Sequence, residues 1–142
     1  MRWVCLAGES EGNIAMKITT FNPQIITNDA APLVQLFQEL GFEKRHYLKG
    51  IGEQGDEGIR MRDTNGLYLD IAQTNIPIPH DLEAIRMNVD DFDEVYEILM
   101  THGFKNFYGD KTVGTKSSKS ALMISPSGFG VNLVQHIREH DR

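Results

Sequence analysis

The stretch DTNGLYLDIAQ at residues 63–73 returns 62 positions later as SPSGFGVNLVQ at residues 125–135. The two stretches share the placing of a glycine, of their apolar residues and of their final glutamine. Self-similarity at one fixed offset indicates a repeated structural unit. The sequence therefore predicts that the chain contains two copies of one module.

Other segments repeat at the same offset. Gly41 corresponds to Gly103, and each glycine follows a segment whose apolar residues recur at helical spacing. Glycine commonly ends a helix because its backbone adopts the left-handed conformation without strain. Asp29 corresponds to Asp91, and each is placed to cap the start of its helix. With a short strand before the helix and three strands after it, each copy is a βαβββ unit.

These patterns predict an α+β fold made of two tandem βαβββ modules in one domain. Two prolines, Pro77 and Pro79, separate the copies, and they suit a linker because proline cannot donate to a strand ladder. The predicted boundaries are module one at 17–73, the linker at 74–81, module two at 82–136 and a tail at 137–142.

Residues 1–15 stand apart from this pattern. Their five-residue apolar run, residues 3–7, is too short for a secretory signal or a membrane span. The patterned sequence opens at Met16. We therefore expect Met16 to be the natural start and residues 1–15 to be a non-native or disordered extension.

Composition narrows the class of protein. The chain has 142 residues, of which 40% are apolar and 24% charged, as is typical of a globular domain. A net charge of −6 argues against nucleic acid or an anionic membrane as a partner. A single cysteine cannot form an internal disulfide, so we expect a cytoplasmic protein.

The helix endings and the strand-entry turns resemble a known family. Leu40-Gly41-Phe42, its second copy Gly103-Phe104, and the turns DTNG at 63–66 and SPSG at 125–128 are similar to the motifs of the vicinal oxygen chelate superfamily. That superfamily includes glyoxalase I, extradiol dioxygenases, and fosfomycin- and bleomycin-resistance proteins. The resemblance covers residues 17–136. It implies a cup-shaped sheet with the site inside the cup, and a homodimer.

The resemblance also implies where a metal ion would bind. The family places its ligands, His or Gln and Glu, on the first and last strands of each module. The matching positions here are Asn22, Asp70, Ala84 and Asn132. An amide is a poor ligand for transition-metal ions and a methyl group is none, so Asp70 alone suits such a site. We therefore expect no metal cofactor.

Strand alternation assigns the side chains of the cup. Apolar residues alternate with polar ones along the predicted strands, and the apolar set must face the helices. Arginines on the other face suit a carboxylate or phosphate ligand, although the same face could simply be solvated sheet. The predicted ligand-binding residues are Asn22, Gln24, Arg60, Arg62, Tyr68, Asp70, Arg86, Asn88 and Asn132.

Two functions follow as hypotheses. The first is a metal-independent, glyoxalase- or bleomycin-resistance-like protein that binds a small polar or anionic molecule in the cup. The second is a divalent-metal-dependent enzyme, a glyoxalase I-like lyase or isomerase or a dioxygenase. The second would need other donors, such as His46 or His80.

Three further motifs carry less weight. GIGEQG at 50–55 matches a dinucleotide-binding pattern, but a strand pattern rather than a helix follows it, which favours a hairpin loop. His136 and His140 are interpreted as an uncoordinated tail. The stretch 111–120 is either an ordinary loop or a lid over the cup.

Overall fold

A computed structural model of the chain describes residues 16–51, 56–109, 113–114 and 118–136. The predicted extension at 1–15 and the tail at 137–142 lie outside these residues, as do 52–55 of the GIGEQG motif and half of the 111–120 stretch. No helix in the described ranges has the length and apolar character that crossing a membrane requires.

Each module contains one helix and a set of strands. Module one comprises β1 (Ile18–Thr27), α1 (Ala31–Glu39), β2 (Glu43–Ile51), β3 (Asp56–Arg62) and β4 (Tyr68–Gln73). Module two comprises β5 (Leu82–Val89), α2 (Phe92–Thr101), β6 (Lys105–Asn106), β7 (Val113–Gly114), β8 (Ser118–Ile124) and β9 (Gly130–His136). The α+β class and the two-module organisation predicted from the repeat are confirmed, and both ends of β3 and β8 differ by the predicted 62 positions.

The strands form one mixed sheet. Its order is β2-β3-β4-β1-β5-β9-β8-β6, with β7 pairing with β8. The first and last strands of each module pair in parallel, β1 with β4 and β5 with β9, and β1 pairs with β5 antiparallel where the modules meet. The five strands that contain the candidate site residues, β3, β4, β1, β5 and β9, therefore lie side by side in the sheet.

The helices cover one face of the sheet. Under α1 the core contains the fully buried Met61 and Ile71, and under α2 it contains Met123 and Leu133. The predicted alternation is therefore correct for these strands. Leu67 is an exception, being 61% exposed. Its backbone N–H donates to Asp63 Oδ1 at 2.8 Å, which holds Leu67 in the turn before β4 begins.

The two helices begin differently. Asp91 caps α2, accepting from the backbone N–H of Glu94 at 3.1 Å, as predicted. Helix α1 has Ala30 rather than Asp29 at its N-cap, and the Ala30 side chain makes no capping bond. Asp29, one residue earlier, accepts from the N–H of Ala31 at 3.3 Å. Asp29 therefore bonds the first turn of α1 as predicted, from the position before the N-cap.

Candidate ligand-binding cavity

The sheet face opposite the helices encloses a cavity of about 370 Å³. Both modules contribute to its walls. Six of the nine residues predicted from strand alternation line it: Gln24, Arg60, Asp70, Arg86, Asn88 and Asn132. We call this surface the cavity face.

The other three predicted residues do not line this cavity. Asn22 is buried and its side chain contacts Asp70 and Arg60. Arg62 and Tyr68 lie beyond, with the Arg62 guanidinium 5.6 Å from the centre of the Tyr68 ring. Arg62 instead lines a separate depression of about 250 Å³ beside Gly41 and Asp63. These three residues therefore lie near the cavity but do not line it.

Arg60 and Asp70 form a bidentate ion pair. Arg60 Nε donates to Asp70 Oδ1 at 3.0 Å and Nη2 donates to Oδ2 at 2.8 Å. Asn22 completes the cluster, donating from Nδ2 to Asp70 Oδ2 at 2.6 Å and accepting at Oδ1 from Arg60. The pairing raises the pKa of Arg60 above its usual range. Both oxygens of Asp70 therefore already accept hydrogen bonds, and Arg60 uses its Nε and Nη2 donors within the protein.

The guanidinium of Arg86 is less completely paired than that of Arg60. Its Nη1 lies 3.9 Å from Asp70 Oδ1, beyond hydrogen-bond distance, and its Nε donates to Asn88 Oδ1 at 3.2 Å. Burial lowers the pKa of Arg86; the charge of Asp70 opposes that effect and the charge of Arg60 adds to it. Neither Nη nitrogen donates a hydrogen bond to the residues that the structure describes. Arg86 therefore has free donors and an incompletely balanced charge.

Asn88 links Arg86 to His136. Because the Nε–H of Arg86 can only donate, Asn88 Oδ1 must be the acceptor, and Asn88 Nδ2 then faces His136 Nε2 at 3.1 Å. His136 Nε2 accepts that bond, which puts the proton of a neutral imidazole on Nδ1. The interpretation of His136 as tail is wrong, since His136 ends β9 and lines the cavity. Its even spacing from Asn132 along one strand would have indicated this. His140 lies outside the described residues.

An apolar wall faces these polar groups. Ile26, Ala84 and Leu122 form a buried cluster against which Ala72 and Tyr108 pack. Tyr108 follows β6 in module two, yet its hydroxyl interacts with Thr74 at the start of the linker and with Asp56 of module one. Sequence reasoning missed Tyr108 because it lies in a turn, where no periodicity marks the direction of a side chain.

The four family positions do not fit a metal ion. The oxygens of Asp70 are bound to Arg60 and Asn22, Asn132 donates from Nδ2 to Gln24 Oε1 at 2.9 Å, and Ala84 has no donor atom. The described ranges also contain no group of three or more His, Cys, Asp or Glu side chains that could hold a metal. Of the alternative donors, exposed His46 lines the cavity, whereas His80 lies in the linker and does not.

Comparison with known proteins shows a similarity of fold. No protein-family model matches the chain, and no curated protein matches it. Methylmalonyl-CoA epimerase from Mycobacterium tuberculosis is 14% identical, with a TM-score of 0.60 over 87% of this chain and 92% of that one. Another methylmalonyl-CoA epimerase is 20% identical, with a TM-score of 0.57 over 82% and 94% of the two chains.

A third solved structure names the superfamily itself. It is a glyoxalase/bleomycin resistance protein/dioxygenase superfamily member from Vibrio splendidus, 13% identical with a TM-score of 0.54, covering 84% of this chain and 99% of that one. The chain therefore has the vicinal oxygen chelate fold, as the sequence motifs predicted. Because the sequence identities are low, this conclusion concerns the fold alone and not the function.

Proposed function

We propose that the protein binds a small anionic molecule in the cavity, with Arg86 as the anion-binding residue and without a metal ion. One observation carries the proposal: Arg86 lines the cavity with its Nη donors unused by the described residues and its charge incompletely balanced by Asp70. A guanidinium in this state is suited to a carboxylate or a phosphate.

The rest of the cavity supports the same function. Its volume of about 370 Å³ falls in the range of small-molecule sites. Gln24 and Asn132 bond each other across the junction of the modules, which fixes two amides beside Arg86 for orienting a ligand. Of the three arginines proposed to bind an anion, Arg60 is assigned a structural role through Asp70, and Arg62 lies outside the cavity.

Thermal melts with a panel of monocarboxylates and phosphate monoesters test the proposal. Arg86→Gln removes the charged hydrogen bonds, so affinity for a ligand found in the panel should fall by about 1.5–3 kcal/mol, or roughly 10- to 150-fold. Arg62→Gln is the matched control, because it removes the same charge outside the cavity. Equal affinity of wild type and Arg86→Gln would refute the assignment.

No observation favours the metal-dependent lyase or dioxygenase over binding alone. The single carboxylate at the family positions already pairs with an arginine and an asparagine, so a metal ion or a substrate proton would have to compete with these partners. The metal content of purified protein, measured by elemental mass spectrometry, tests this alternative. Stoichiometric metal would support it.

We also propose that the chain forms a homodimer. Leu36 on α1 and Ile98 on α2 occupy equivalent positions of the repeat, and both are exposed. Phe21, on the helix side of the central strand β1, is 63% exposed. Exposed apolar side chains of this kind are consistent with association. Light scattering after size-exclusion chromatography measures the mass directly.

A further inference from the structure

We infer that the cavity selects a monoanion with an apolar body, of the class of medium-chain monocarboxylates. This inference rests on the proposed function and specifies its ligand. It comes from two features of the cavity face: the arrangement of its charges from one end to the other, and the row of small and apolar side chains between them.

The charged side chains beside the anion site have a net charge of one positive unit. Arg60 and Arg86 contribute two cations and Asp70 one anion, and the bidentate pairing assigns Asp70 to Arg60. Arg86 therefore remains as the cation to be balanced. A single carboxylate on Arg86 would neutralise this part of the cavity, whereas a dianion would leave one charge desolvated without a partner.

The opposite end of the cavity is acidic. Asp56 lines it and accepts from the backbone N–H of Asn75 at 3.3 Å, a neutral donor that does not balance its charge. Glu57, the next residue of β3, points to the helix side and accepts there from the Tyr47 hydroxyl at 2.9 Å. The remaining ionisable side chains of the wall are Tyr108 beside Asp56, His46 on β2 and His136 beside Asn88. A second carboxylate at this end would meet like charge.

The strand register places an apolar row between the two ends. Arg60 pairs with Asp70, and Asp70 pairs with Gln24, which makes one polar row across β3, β4 and β1. The next row along the same strands is Gly58, Ala72 and Ile26.

This second row offers no polar side chain to a ligand. Leu122 packs against Ile26 from module two, and Tyr108 packs against the same cluster. The body of a ligand that extends from Arg86 toward Asp56 would therefore be apolar, because each polar atom buried there would lose its bond to water.

Calorimetry with three six-carbon probes tests the inference: hexanoate, adipate and hexan-1-ol. Hexanoate should bind, and each of the other two should bind at least about tenfold more weakly, because hexan-1-ol lacks the anion and adipate adds a second negative charge at the acidic end. Adipate binding as tightly as hexanoate would overturn the inference while leaving the anion site intact. Failure of every probe and of the wider anion panel would refute the proposed function itself.

A conservative variant isolates the role of the acidic end. Asp56→Asn keeps the shape of the side chain and removes its charge. The ratio of hexanoate to adipate affinity should then fall by severalfold relative to wild type. Asp93→Asn is the control, since Asp93 lies on the exposed surface of α2 and should leave the ratio unchanged. An unaltered ratio in Asp56→Asn would contradict discrimination by charge at this end.

Discussion

Arg60 and Asp70 face each other directly across β3 and β4, and their side chains form a two-bond ion pair at 3.0 and 2.8 Å. Asp70 occupies the position of a metal ligand in the family that the sequence resembles. Here an arginine of the protein binds the carboxylate that a metal ion would otherwise need. We therefore expect no metal ion at this position.

Asp70→Asn should lower the free energy of unfolding by about 2–4 kcal/mol. Asp70 is 4% exposed, and the substitution leaves the partly buried Arg60 and Arg86 without their counter-charge. Urea denaturation measures the change. Asp93→Asn disrupts only an exposed ion pair with Lys119 and should have little effect. Similar losses in the two variants would contradict a special role for the Arg60–Asp70 pair.

Divalent metal ions should not stabilise the protein. A ligand that binds only the folded state raises the melting temperature, so Ni²⁺, Co²⁺, Zn²⁺ or Mn²⁺ bound at the family positions would be detected in a thermal melt. We expect shifts smaller than about 1 °C with each ion, because the oxygens of Asp70 are already bonded. A larger shift that depends on Asp70 would show that the ion displaces Arg60.

Gln73 and Gln135 should each contribute to stability by bonding the start of a helix. Gln73 Oε1 accepts from the backbone N–H of Ala30 at 2.7 Å, and Gln135 Oε1 accepts from that of Phe92, also at 2.7 Å. Each alanine substitution leaves a backbone donor unsatisfied, at a cost of about 1–2 kcal/mol by urea denaturation, and Gln135→Ala should cost more because Gln135 Nε2 also donates to the Asp90 carbonyl at 3.0 Å. Gln38→Ala, exposed on α1, is the control. A cost no larger than that of the control in either variant would contradict a capping role for these glutamines.

Stability should fall at high pH, in part through Tyr108. Burial, and then the charge of Asp56, raise the pKa of Tyr108, against a hydrogen bond with Thr74 that lowers it. An unfolded tyrosine ionises near pH 10, before the folded one, so the unfolded state releases its proton first and becomes favoured as the pH rises through that value.

Tyr108→Phe should therefore reduce the loss of unfolding free energy between about pH 9 and 11. Tyr47 acts with the same sign, because its hydrogen bond to Glu57 raises its pKa as well, so a smaller slope remains in the variant. Denaturation curves across this range measure the slope. An identical slope in wild type and Tyr108→Phe would contradict the burial of the Tyr108 hydroxyl.

The sequence alone was sufficient to predict the architecture of the fold. A fixed offset of 62 relates β3 to β8, and the period-two alternation assigned Met61 and Ile71 to the helix side and Arg60 and Asp70 to the cavity side. These features depend on local periodicity, which a sequence displays directly.

Periodicity could not predict which of the site residues pair with one another. Alternation placed Arg60 and Arg86 on the same face but could not show that the register gives Asp70 to Arg60 and leaves Arg86 incompletely balanced. Tyr108 was missed for a related reason. It lies in a turn, where its position depends on how the two modules close around the cavity and no strand spacing encodes its direction.

Calorimetric titration of hexanoate in EDTA, repeated with Ni²⁺ in excess of the chelator, measures whether binding needs a metal ion. We expect the same dissociation constant in both buffers for wild type, and a loss of affinity of about tenfold or more in Arg86→Gln. Binding that requires Ni²⁺, or that is as tight in Arg86→Gln as in wild type, would contradict a metal-independent anion site built on Arg86.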